Sequence, residues 1–150
     1  MAEYNPRKIQ SDLEGKETKA IKYMGKTFVN VTSHDIHLVS KSGDTIIVPK
    51  SGFTVSARET IRVVDAFEGG ITISSLFWAE DPIGRIKLNI LIQRYPDSII
   101  LGSKIAAQGY PGEICFCKNS VPEYFLEKRP NMKQTNDPVF YLDSLTIILE

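Results

Sequence analysis

The chain has 150 residues, 42% of them hydrophobic, and its 18 basic residues are balanced by 18 acidic ones. That content suits one domain with a substantial core and excludes a wholly disordered chain. Zero formal net charge excludes a global pull toward nucleic acid or an anionic membrane, although a local basic patch can exist without moving the total.

Residues 1–25 are polar and charged, broken by Pro6 and Gly15, with no sustained apolar stripe. They are expected as a flexible or loosely docked N-terminal arm, with a helical turn within Lys8–Glu14 at most. A sharper reading has this arm pack on a partner subunit. Residues 26–150 are read as a single β-rich domain. Lys26–Val31 and Ile36–Val39 read as one strand interrupted by a polar knot, Thr32-Ser33-His34-Asp35, whose side chains can bond nearby backbone amides. Thr45–Val48 returns across Lys41-Ser42-Gly43-Asp44, a hairpin signal, and Pro49-Lys50-Ser51-Gly52 stops that strand. Phe53–Ala57 and Glu59–Val64 follow as strand, with Ile61 and Val63 inward and Thr60 and Arg62 outward. Glu68-Gly69-Gly70 turns the chain into a strand over Ile71–Phe77.

Ala79–Arg85 reads as a loop around Pro82 and Gly84. Ile86–Gln93 reads as a strand, because Ile86, Leu88, Ile90 and Ile92 alternate with Lys87, Asn89, Leu91 and Gln93. Ser98–Leu101 is a compact buried strand; Ser103 then caps a short helix over Lys104–Tyr110, with Gly109 near its end, and Glu113–Lys118 is a further strand. The charged segment 123–136 is expected as loop with one helical turn. Val139–Leu142 and Leu145–Leu149 are strand-like and apolar enough to require pairing. The sum is an α+β fold: mostly antiparallel sheet or sandwich, with one short helix in a strand–helix–strand unit at about 98–118.

For chemistry the sequence offers little that is specific. No stretch approaches the roughly 20 apolar residues of a membrane span, and the first ten residues lack the apolar core of a signal peptide, so a cytoplasmic location is expected. Cys115 and Cys117 share one face of a strand and are read as reduced packing residues. His34 and His37, three apart, converge only if the knot turns the chain, so no metal is assigned, and no cofactor either. No G-x-S-x-G element or phosphate loop occurs, and no catalytic residue is assigned. What remains is an aromatic–basic theme. Phe77 and Trp78 are followed by Arg85, Lys87 and Arg94, a combination that can stack a base and pair a phosphate. Ser103 and Lys104 stand at a helix start, where free amides and the helix dipole favour an anion. These seven are the candidate ligand-binding residues, each with a plainer alternative as core aromatic, surface charge or ordinary cap. Tyr124, Phe125, Lys128 and Arg129 repeat the theme and could form an oligomer contact or a lid.

Asn30-Val31-Thr32-Ser33-His34-Asp35-Ile36, Val48-Pro49-Lys50-Ser51-Gly52 and Ala57-Arg58 resemble a family of small uncharacterised phage and prophage proteins. The shared motifs have the form N-[LV]-T-[PS]-H-D-I and [IV]-P-x-S-G. The resemblance covers about residues 28–121; Ser33 and Lys50 stand where the family has proline. It implies a viral accessory protein acting in the cytoplasm of an infected bacterium, and brings no assigned activity. The expected function is therefore a non-enzymatic binding protein, self-associating, that sequesters a nucleotide-derived host immune signal such as a cyclic ADP-ribose isomer or a cyclic oligonucleotide. It is expected to need neither membrane nor a specific nucleic acid. Two alternatives stay open: a protein–protein inhibitor of a host factor or virion accessory module, and a nucleotide-acting enzyme using Glu80, Asp81 or His34 as acid or base.

Overall fold

The computed structural model describes residues 5–122 and 139–149. The segment 123–136, with Tyr124, Phe125, Lys128 and Arg129, lies outside the described residues. Helix α1 (Pro6–Glu14) leads into β1 (Ile21–Tyr23), β2 (Lys26–Asn30), β3 (Ile36–Val39) and β4 (Thr45–Val48). A long hairpin, β5 (Ala57–Phe67) and β6 (Ile71–Glu80), precedes α2 (Pro82–Arg94). The unit β7 (Ile99–Gly102), α3 (Lys104–Gly109) and β8 (Ile114–Cys117) follows, and β9 (Val139–Tyr141) and β10 (Leu145–Ile147) close the described chain. This is an α+β fold that is mostly sheet.

Three layers result. The central sheet has the order β1-β2-β7-β8-β10, parallel across β2, β7 and β8 and antiparallel at both edges. The short α3 supplies the crossover that a parallel β7–β8 pair requires. On one face, Val29, Ile100 and Ile114 pack with Leu13, Leu88, Leu91, Ala106, Ala107 and Tyr110, residues of the three helices and of the turn after α3. On the other face, Phe28 and Leu101 meet Ile36, Leu38, Ile46 and Val48 of a second sheet, ordered β4-β3-β9. Alternation along β2 and β7 thus feeds two cores at once, as a sheet covered on both faces demands. Cys115 and Cys117 share the face toward the second sheet, as their spacing requires, and both are free thiols.

From Asn5 onward the N-terminal segment is docked. Asn5 caps α1 through Lys8 N, Leu13 is buried, and β1 forms an edge of the central sheet. Residues 21–23 thus belong to the same sheet as residues 26–30.

The stretch read as a loop over Ala79–Arg85 and a strand over Ile86–Gln93 is instead the end of β6 and helix α2. Its boundary is set by Asp81, whose carboxylate accepts from Ile83 N and Gly84 N at 3.0 Å, and by Pro82 at the first helical position. Gly84, Leu88 and Leu91, spaced four and three apart, form the buried stripe. The alternating isoleucines imitate a strand only because Ile86 and Ile90 flank that stripe while Ile92 lies exposed.

The knot does not interrupt a strand; it moves the chain from the central sheet to the second one. Fully buried Asn30 holds the crossing. Its Nδ2 donates to His34 O at 2.8 Å and Val48 O at 3.0 Å, and its Oδ1 accepts from Thr32 N at 2.8 Å. Asp35 Oδ1 accepts from Lys50 N at 2.9 Å, and Ser51 N donates to Asn30 O at 2.9 Å. The Asn30–Ile36 and Val48–Gly52 segments are therefore bonded to each other as one structural joint.

The β5–β6 hairpin stands apart from these layers. Ala57 through Phe67 pair with Ile71 through Glu80 around the Glu68–Gly70 turn, with a bulge at Val64. Every residue from Ile61 to Phe77 is exposed. Ile61 and Val63, expected inward, are 62% and 57% exposed, because among the described residues no layer covers either face of the hairpin.

Candidate functional site

The parallel strands β2, β7 and β8 all end at one place, and a cleft of about 500 Å³ opens there. Crevices at the carboxyl ends of parallel strands are where such sheets can present loops and helix starts to a ligand, and the volume falls in the roughly 300–1,000 Å³ range of small-molecule sites. One wall is the knot, with Thr32, Ser33 and His34. A second is Thr54, Val55 and Ser56, on the way into the hairpin. The β7–α3 junction supplies Gly102, Ser103 and Lys104, and Phe116, Cys117, Lys118 and Phe140 complete the lining.

Each wall is held by bonds made elsewhere. Val31 N donates to Leu101 O at 2.8 Å and Val55 N to Val31 O at 3.0 Å, so knot, β7 and the Thr54 loop are tied in series. A Cβ at Gly102 would stand 2.7 Å from Ile114 Cγ2 and 3.2 Å from Val31 Cγ2, so a larger residue would push the strand ends apart. Lys87 Nζ donates to Thr54 O at 3.0 Å and steadies that wall from behind.

The lining is apolar at its base and carries two lysines, one histidine and five hydroxyl residues, with no carboxylate among the lining side chains. Lys104 Nζ stands 5.9 Å from the centre of the Phe116 ring. Ser103 Oγ accepts from Ala106 N at 3.0 Å, as a helix cap should, and keeps its own O–H to donate. Cys117 is no nucleophile at neutral pH: burial, and then the neighbouring Cys115, push its thiol up to about 12. Among the described residues no group of three or more His, Cys, Asp or Glu side chains could hold a metal ion. The cleft can therefore hold an anion beside flat rings, using lysines and hydroxyls for charge and Phe116, Phe140 and His34 for stacking.

Of the seven candidate residues, Ser103 and Lys104 line this cleft and the other five do not. Phe77 and Trp78 are consecutive on β6 and point to opposite faces of the hairpin. Arg85 is engaged with two carboxylates: Nη1 and Nη2 donate to Glu113 at 2.8 and 2.6 Å, and Nε donates to Glu80. Glu113 is correspondingly held below the usual carboxylate range by that hydrogen bond. Arg94 fastens the end of α1, donating to Glu14 O and Lys16 O at 2.7 Å, and lies over the Phe53 ring. Glu80 and Asp81, the carboxylates considered for acid–base work, serve Arg85 and the α2 cap; His34 alone of those three faces the cleft.

The residues missed include Thr32, Ser33, Phe116, Lys118 and Phe140. A signal existed for the first four: a polar knot directly after one strand, and the end of the second strand of a strand–helix–strand unit. Phe140 could not be found this way, because it arrives through the parallel pairing of β9 with β3 across a long sequence gap. No family model matches the chain, and no curated protein or solved structure is significantly similar to it.

Proposed function

We propose that this chain is a phage-encoded binding protein that sequesters a nucleotide-derived host immune signal, with the cleft at the ends of β2, β7 and β8 as its receptor. The observation that carries the reading is the lining: Lys104 and Lys118 with hydroxyls and three rings, and no carboxylate, in a cleft of about 500 Å³. Among the described residues, an anion beside Lys104 and Lys118 meets no repelling charge from the walls, and a base has Phe116, Phe140 or His34 to lie against. The resemblance of the knot and turn motifs to phage proteins supports the biological setting. Holding a ligand needs no nucleophile, and the protonated thiol of Cys117 suits that role.

The test is native mass spectrometry and calorimetry of the purified protein against cyclic ADP-ribose isomers and cyclic oligonucleotides. One member should bind stoichiometrically and leave with unchanged mass on denaturation. Lys104→Ala and Lys118→Ala should each weaken that binding by about 10- to 100-fold, the worth of a charge-assisted hydrogen bond. Failure of the whole panel to bind removes the nucleotide reading; a changed ligand mass turns it into the enzyme. A second reading, a protein–protein inhibitor or virion accessory module, is favoured by one observation, the exposed apolar hairpin; recovery of a single host or virion protein with no small molecule would support it.

A further inference from the structure

The β5–β6 hairpin is fixed at its root and bare beyond it. At the root, Tyr110 is fully buried, and its hydroxyl accepts from Asp81 N at 3.0 Å and lies 3.2 Å from Ser56 O, spanning the hairpin's entry and exit. Gly84 and Gly109 allow the close approach: a Cβ on Gly84 would strike the Tyr110 hydroxyl, and one on Gly109 would strike Ala57 and stand 3.1 Å from Ala79 O. Arg85, over the Tyr110 ring at 5.3 Å, ties Glu80 at the end of β6 to Glu113. From Ile61 outward nothing of this kind continues among the described residues, although the residues are those of a core: Ile61, Val63, Val64, Phe67, Ile71, Ile73, Leu76 and Phe77 are all exposed.

Directly opposed residues share a face, so the pairing sorts these side chains. One face carries Phe77, Ile73, Ile71 and Phe67, with Arg62 and Asp65 between them; the other carries Ile61, Leu76 and Val63. Val64, at the bulge, joins the first face, where it bounds a shallow hollow with Arg62, Ser75 and Phe77. A two-stranded ribbon with open edges and bare faces is marginal in water, and exposed apolar patches of this extent mark interfaces.

We infer that the β5–β6 hairpin is the self-association element of this protein, and that its occupant is the same hairpin of a second copy, packed through the face bearing Arg62, Val64, Asp65, Ile73 and Phe77. Two arguments select a second copy. The five apolar side chains of this face, Val64, Phe67, Ile71, Ile73 and Phe77, offer on the order of 500 Å² per copy, so a pair reaches the roughly 1,000 Å² that a specific interface needs. The face is also self-complementary in charge: a two-fold axis passing near Val64 sets Arg62 of each copy toward Asp65 of the other, as an isologous contact requires, and the chain's zero net charge opposes no such approach. The inference stands independently of what the cleft binds.

Sedimentation equilibrium of the full chain, over nanomolar to high micromolar concentration, should return twice the chain mass with micromolar or tighter affinity. Ile73→Asp should weaken association by about 100-fold, the loss expected at a buried interface centre, with the circular dichroism spectrum retained. Arg62→Asp and Asp65→Arg, both on exposed positions where folding is not at stake, should each weaken it about 10-fold. Combining both in one chain, or mixing the two single variants, should restore it. A folded wild-type monomer at high micromolar concentration overturns the proposal, whether its hairpin is then protected within the chain or claimed by a different protein. Dissociation by Ile73→Asp without rescue by the charge swap overturns the face-to-face pairing.

Discussion

Two antiparallel hairpins, β3–β4 and β5–β6, are built from the same kind of alternating sequence and end in opposite surroundings. In the first, Ile36, Leu38, Ile46 and Val48 are buried against the central sheet, and β9 pairs along the edge of β3. In the second, among the described residues, side chains of the same chemistry face solvent on both sides and neither strand has a second neighbour. The difference lies in where each hairpin is attached. The Asn30 joint folds β3–β4 back over the central sheet, whereas the Tyr110 clamp holds β5–β6 by its root alone and leaves the rest beyond the layers. Alternation therefore defines two faces; attachment decides whether either one is covered.

The comparison breaks most sharply at the joint. Asn30→Asp replaces the amide donor that serves His34 O and Val48 O with a carboxylate facing both carbonyls. It should cost about 4 kcal/mol in urea unfolding, as a buried group left with the wrong partners does. An unchanged midpoint would show that the joint does not hold β3–β4 in place.

A matched pair of truncations then compares the hairpins directly. Leu38→Ala removes a fully buried side chain and should cost about 3 kcal/mol. Leu76→Ala, on the exposed hairpin, should cost roughly 0.5 kcal/mol or less when measured at concentrations where the chain is monomeric. Equal losses in the two variants would mean that the hairpin is covered within its own chain.

The smallest effect concerns the face that covers β3–β4, and it is confined to alkaline pH. Cys115 and Cys117 face the second sheet, and burial raises both thiols from an ordinary value of 9.0, Cys117 to about 12. A raised folded pKa means that the folded state keeps its proton while the unfolded chain loses it. The associated stability is then fully present below about pH 9 and declines as pH rises toward about 12. Tyr110, raised from 10.0 mainly by burial, adds to the loss from about pH 10 upward. Cys117→Ala should flatten the stability profile between pH 9 and 12 and leave the Tyr110 component; a profile identical to wild type would refute the burial of that thiol.

Local signals account for what could be read in advance. The Lys41–Asp44 and Glu68–Gly70 turns, the Ser103 cap and the β7–α3–β8 unit all rest on residues within a few positions of one another, and all are present in the structure. Helix α2 carries a legible start in Asp81-Pro82, but Ile86, Leu88, Ile90 and Ile92 also alternate, and that strand-like period masks the helical one. For the cleft, the strand ends were legible in Ser103 and Lys104. The knot and the end of β8 carried a signal as well, whereas Thr54 and Phe140 reach the cleft only through long-range pairing of separate segments.

By itself the sequence determined the α+β class, the positions of the tight turns and the alternation that gives each strand two faces, since these depend on backbone preferences and on side-chain period. Only the tertiary structure decided which of those faces acquired a neighbour. Coverage depends on the direction in which each joint sends the chain, and that direction is set by long-range bonds such as Asn30 to Val48 and Tyr110 to Ser56 and Asp81, which no local pattern encodes.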